Sequence, residues 1–96
     1  MRIRDNYPII VTDRKDEARD FWQRFLGFRP VFDSSWFTLM TDEGSGSSIA
    51  FMTPDHPSAP PGPDAFAGTG ACFELEVDDA VAAHAELTGR GLAVTY

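Results

Sequence analysis

One cysteine, one lysine and two histidines stand among 96 residues, and no apolar run is long enough to span a bilayer. A single cysteine excludes a disulfide framework and a thiolate zinc site. A membrane helix needs about 20 consecutive apolar residues, so none is expected. Positive charge is equally scarce. Lys and Arg sum to 8 against 15 Asp and Glu, a formal net charge of -7. Phosphate binding needs clustered cations, and here the arginines are scattered, so neither nucleic acid nor an anionic membrane surface is an expected partner. The first six residues carry Arg2, Arg4 and Asp5 and no apolar signal core. The expected setting is cytoplasmic. Apolar material is present, with eight Phe and two Trp, and it suffices for one small core.

The chain divides into alternating strand and helix signals. Tyr7 to Val11 reads as a strand whose Pro8 points to an edge, a bulge or a strand start. Thr12 or Asp13 is placed to cap a helix. Ala18, Phe21, Trp22, Phe25 and Leu26 form its apolar stripe, and Gly27 its stop. If that whole stripe is core, Phe21→Ala and Trp22→Ala should each cost about 3–5 kcal/mol. Short strands follow over Arg29–Phe32, Trp36–Met40 and Ile49–Met52. Alternation sets Trp36, Thr38 and Met40 on one face and Phe37 and Leu39 on the other. Thr53 to Gly70 holds five of the seven prolines and three of the eight glycines, and reads as a long connection. Strict alternation resumes over Ala71–Val77, with Phe73, Leu75 and Val77 opposite Cys72, Glu74 and Glu76. Those apolar members are expected against the helices, which turns Glu74 toward a groove. Asp78 or Asp79 caps a second helix to about Leu87, with Ala80, Val81, Ala83, His84 and Leu87 on or near its inner side. Gly89 and Gly91 end it, and Leu92–Tyr96 reads as a further strand.

The second half therefore restarts the first: strand, capped helix, glycine stop, strand. Val11-Thr-Asp13, Arg19-Asp-Phe-Trp22, Leu26-Gly-Phe28, Pro54-Asp-His-Pro57 and Phe73-Glu-Leu-Glu-Val-Asp-Asp79 taken in order resemble the glyoxalase/bleomycin-resistance/extradiol-dioxygenase (vicinal oxygen chelate) superfamily. Each motif encodes only packing and capping, but the ordered set covers essentially the whole chain. The resemblance implies an α+β fold of paired βαβββ modules around a cavity. The first module would occupy about residues 1–53, a linker 54–70, and a second module, without its last two strands here, 71–96. It also implies homodimers, in which a partner supplies part of the cavity wall. The interface is expected at the first strand, around Tyr7–Val11, or at the exposed fifth-to-sixth strand region.

Metal-using members place His or Glu at positions that fall here on Tyr7, on Cys72 and near Ala50, with Ser48 and Met52 as same-face neighbours. None is a good ligand for a hard cation. His56 and His84 have neither a ligand spacing nor an obvious third partner, and read as a surface and a helix-flank histidine. Two functions remain. One is a metal-free small-molecule-binding protein, without cofactor, that sequesters an aromatic or cationic antibiotic-like ligand. The other is a lyase, isomerase or dioxygenase of the same superfamily that uses a divalent metal ion as Lewis acid. For the first, the candidate ligand-binding residues are Tyr7, Trp36, Thr38, Cys72 and Glu74, with no metal ligand among them. A third reading is that a chain without the last hairpin does not close a cavity unaided.

Overall fold

Period-2 alternation in the strands builds one mixed sheet with two unlike faces. The computed structural model describes residues 1–54 and 70–94. The strands are β1 (Ile3–Val11), β2 (Arg29–Asp33), β3 (Phe37–Thr41), β4 (Ser48–Met52) and β5 (Gly70–Val77), and the helices α1 (Lys15–Leu26) and α2 (Ala80–Gly89). Their order in the sheet is β2-β3-β4-β1-β5. β1 runs parallel to β4, with Ile9 opposite Ala50, and antiparallel to β5, with Tyr7 opposite Glu74. The fold is α+β, a βαβββ unit extended by a strand and a helix. The linker read at 54–70, with His56 in it, lies almost wholly outside the described residues.

Directly opposed residues share a face, so the register sorts the core into two layers. Ile9, Val11, Ala50 and Met52 are buried on one face, with Tyr7, Trp36, Phe37 and Leu39 packed against them. Met40, Ile49 and Phe51 are buried on the other, beneath Ile10, Ala18, Trp22 and Phe28. The second face carries α1 and is called the helix face below.

α1 departs from the expected stripe. Its inward line is Lys15, Ala18 and Trp22, spaced i, i+3, i+7. Trp22 meets Phe28 edge-on at 4.9 Å and Phe51 at 6.0 Å. Phe21, expected in the core, is 51% exposed, as are Phe25 and Leu26 to similar degrees. Phe21 and Phe25 stack on each other at 5.2 Å on the flank of the helix. The cap also differs from the expected Thr12 or Asp13. Arg14 is the N-cap, and Thr12 Oγ1 instead accepts a bond from the Arg14 amide at 3.1 Å. Gly27 ends the helix at φ 75°, a left-handed conformation that favours glycine.

A charge fills the place where the sequence shows no apolar residue. Lys15 is only 4% exposed. Its Nζ donates to Asp16 Oδ1 at 2.8 Å and to Thr38 Oγ1 at 3.0 Å, and lies 3.5 Å from Asp33 Oδ1. The Thr38 hydroxyl donates onward to Asp33 Oδ1 at 2.6 Å, and Arg19 donates to Asp33 Oδ2 at 3.0 Å. A buried ammonium is tolerated only when paired and hydrogen-bonded, and this clasp supplies both. Thr38 is consequently wholly buried on the helix face.

The second helix is capped by Asp79, whose side chain accepts from the Ala82 amide at 3.0 Å. Of its expected inner residues only Ala83 is buried, and Leu87 half-buried, while Ala80, Val81 and His84 are exposed. Nor do Phe73 and Leu75 of β5 pack beneath a helix. Both are exposed, Phe73 to 75%. Leu92 to Val94 form no strand, and Tyr96 lies outside the described residues.

Two outcomes follow from the helix packing. Trp22→Ala should destabilise by about 3 kcal/mol, whereas Phe21→Ala should stay within about 1 kcal/mol in denaturant melts. The Asp33 carboxyl is held below the usual carboxylate range by the Thr38 hydroxyl first and then by Arg19 and Lys15. A depressed folded-state value contributes stability that is present above the ordinary Asp value and lost as pH falls through the folded one. The melting temperature should therefore drop as pH falls below about 4, and Asp33→Asn should flatten that dependence.

Candidate functional site

The face opposite α1 forms an open groove of about 490 Å³, lined by Tyr7, Ile9, Phe32, Trp36, Phe37, Leu39, Met52 and Glu74. That volume lies within the range that accepts drug-sized molecules. Two more polar clefts among the described residues, one by the start of α1 and one between Met1–Arg2, the end of β5 and α2, are smaller, at about 260 and 210 Å³.

Each lining residue is placed by strand alternation or by one turn. β1 turns Tyr7 and Ile9 to this face. β4 contributes Met52, and β3 contributes Phe37 and Leu39. Phe32 lies opposite Leu39. Trp36 precedes β3 and is brought over by the Ser34–Phe37 turn. The Ser34 amide donates to the Phe37 carbonyl at 2.8 Å, and Ser34 Oγ accepts from the Phe37 amide at 3.1 Å. The Trp36 carbonyl in turn accepts from the Thr53 amide at 2.8 Å. Trp36 packs on Phe37 at 5.4 Å, and Phe37 on Phe32 at 6.2 Å, so three rings make one wall.

The other end is polar and anionic. Tyr7 and Glu74 face each other across the β1–β5 ladder, with Asp5 opposite Glu76 in the same ladder. Burial pushes the Tyr7 phenol up from its ordinary value, and the charges of Glu74, Glu76 and Asp5 push it further. The phenol thus stays protonated at neutral pH and is available as a donor. No lining residue is cationic. This arrangement can hold an apolar ring at one end and a positive group at the other.

Tyr7, Trp36 and Glu74, among the residues singled out in the sequence, meet in this groove. Thr38 does not, and its expected place beside Trp36 is corrected. Trp36 belongs to the turn and not to the strand, so alternation counted from it assigns Thr38 and Met40 to the wrong face. Cys72 lies opposite Ile9 in the ladder, and nothing further is described of it. Phe32, Phe37, Leu39, Ile9 and Met52 were not anticipated as lining residues, because an apolar residue on a strand reads equally well as core.

Two of the positions matched to metal ligands, Tyr7 and Ala50, offer no good donor for a hard cation. The Tyr7 phenol is held in its neutral form, and Ala50 is wholly buried and carries no donor. Among the described residues no group of three or more His, Cys, Asp or Glu is arranged to hold a cation.

The model of one protein family, described as the Glyoxalase/Bleomycin resistance protein/Dioxygenase superfamily, matches residues 6–96. No curated protein matches the chain. The electrostatics of the groove can be read directly in Tyr7. Ultraviolet titration should place its ionisation above 10.0, the ordinary value. Glu74→Gln should lower it without restoring the ordinary value, because burial remains the larger cause.

Proposed function

This chain belongs to the Glyoxalase/Bleomycin resistance protein/Dioxygenase superfamily, and on that premise we propose that it is a metal-free binding protein for small aromatic cations. The observation that carries this reading is the groove itself: an aromatic wall of Phe32, Trp36 and Phe37 at one end and Glu74 beside a protonated Tyr7 at the other. Stacking on Trp and Phe favours a flat ring, and an ammonium over an aromatic face gains a further cation–π attraction. Glu74 stands exposed at the rim, so its carboxylate favours a cation over an anion by a modest, salt-screened amount. Sequestration of an antibiotic-like molecule needs only this shape and charge, with no catalytic group. A metal-dependent lyase, isomerase or dioxygenase would need donors that Tyr7 and Ala50 do not provide.

The working form we propose is a cytoplasmic homodimer. Within the expected interface region Tyr7–Val11, residues Ile9–Val11 are hydrogen-bonded to strands on both sides and offer no free edge. β5 lies at the end of the sheet with eight residues along its outer edge, and such edges pair readily with other chains. Sedimentation at micromolar concentration reads this directly, with a dimer expected and a monomer refuting it.

The binding reading is tested with two probes of like ring and opposite charge, 1-naphthylmethylammonium and 1-naphthoate. Calorimetry should give an ammonium preference of about tenfold or more, equivalent to about 1.4 kcal/mol, and Glu74→Gln should erase it. Equal or reversed affinities would sink the proposal, as would stoichiometric iron, manganese, nickel or zinc retained through dialysis.

A further inference from the structure

We propose that Asp33 is a positioning residue for the groove: the bonds that hold it on the helix face fix where Phe32, Trp36 and Phe37 stand on the opposite face. The inference rests on the reading of the groove as a ligand site.

The geometry is that of a hairpin gripped at its tip. Asp33 and Thr38 form the last opposed pair of the β2–β3 ladder, and the Ser34–Phe37 turn hangs from them. On the helix face this pair is held by α1, with Thr38 buried and Asp33 partly exposed. Thr38 donates to Asp33 Oδ1 at 2.6 Å, Lys15 Nζ reaches Thr38 at 3.0 Å and Asp33 at 3.5 Å, and Arg19 donates to Asp33 Oδ2 at 3.0 Å. On the groove face the residues next to the pair are the aromatic wall: Phe32 precedes Asp33, and Phe37 precedes Thr38. Trp36 sits inside the turn.

β2 gives this wall little other support. It is an edge strand, exposed along its whole length, and its register with β3 slips between Pro30 and Phe32. A slipped, exposed edge strand has soft packing, so its tip needs a fixed point. The clasp supplies one, because the buried Lys15 ammonium would be an uncompensated charge if its carboxylate and hydroxyl partners moved away. A groove wall built on a gripped tip is organised before ligand arrives, which spares the ligand the cost of ordering it.

The test reads Trp36 in the ligand-free protein. In a Trp22→Phe background Trp36 is the remaining tryptophan, and its emission and acrylamide quenching report where it stands. Asp33→Asn should shift the emission to the red and raise quenching while the protein still melts cooperatively. It should also weaken 1-naphthylmethylammonium binding about tenfold. Asp20→Asn, which removes one exposed partner of Arg19 that touches neither Asp33 nor Thr38, should change neither signal. Should Asp33→Asn fail to fold, Thr38→Val is expected to move Trp36 in the same way, and Thr38→Ser to restore it. A folded Asp33→Asn or Thr38→Val protein with unchanged Trp36 emission and quenching overturns the proposal, since a merely structural clasp lowers the melting temperature and leaves the ring in place. If Trp36 moves but the wild-type chain never binds the ammonium probe, the positioning role stands and the binding function falls.

Discussion

The structure depends on one strand whose end, Ile9–Val11, is paired along both edges. β1 is held parallel to β4 on one side and antiparallel to β5 on the other. Its alternation therefore decides, for the whole sheet, which residues meet α1 and which do not. Ile10 goes under the helix with Phe51, while Tyr7, Ile9 and Val11 go to the groove with Ala50 and Met52. A slip of one residue would exchange the two sets. The groove and the core beneath α1 are thus two consequences of a single register.

The two faces are finished by different physics. The helix face is closed by packing and by a charge network around the buried Lys15, which takes the first inward position of α1 and draws Asp33 and Thr38 to it. Among the described residues no helix covers the opposite face, and its apolar residues line an open concavity rimmed by carboxylates. Burying an ammonium is unfavourable unless its partners are fixed, so the network that closes one face also fixes the hairpin whose aromatics form the other. The exposed Phe21–Phe25 pair and the exposed Phe73 lie outside both arrangements.

Much of this was legible in the residues. The strict alternation of Ala71–Val77 places Glu74 on the groove side, and Gly27, Gly91 and Asp79 act as stops and cap. The ordered motifs from Val11 to Asp79 point to the superfamily that the family match supports. What the residues conceal has physical causes. The inward line of α1 begins with a lysine, and a charged residue is not counted in an apolar stripe, so Phe21 is assigned to a core that Lys15 occupies. Trp36 looks like the first residue of a strand, yet the bonds of Ser34 hold it in a turn, which reverses the face of Thr38. The expectation that Phe73 and Leu75 pack beneath a helix fails because alternation fixes the side on which a residue lies but not what covers it.

The central claim is that ligand enters the face opposite α1 and leaves the clasped face untouched. The three methionines sit at usefully different places: Met52 on the groove, Met40 wholly buried on the helix face, and Met1 at the exposed terminus. Carbon-13 methyl-methionine spectra recorded during titration with 1-naphthylmethylammonium separate the three. The account predicts that the Met52 methyl shifts progressively through ring current while Met40 and Met1 stay in place. A shift at Met40 with Met52 unmoved, or no shift at any of them despite binding, would contradict it.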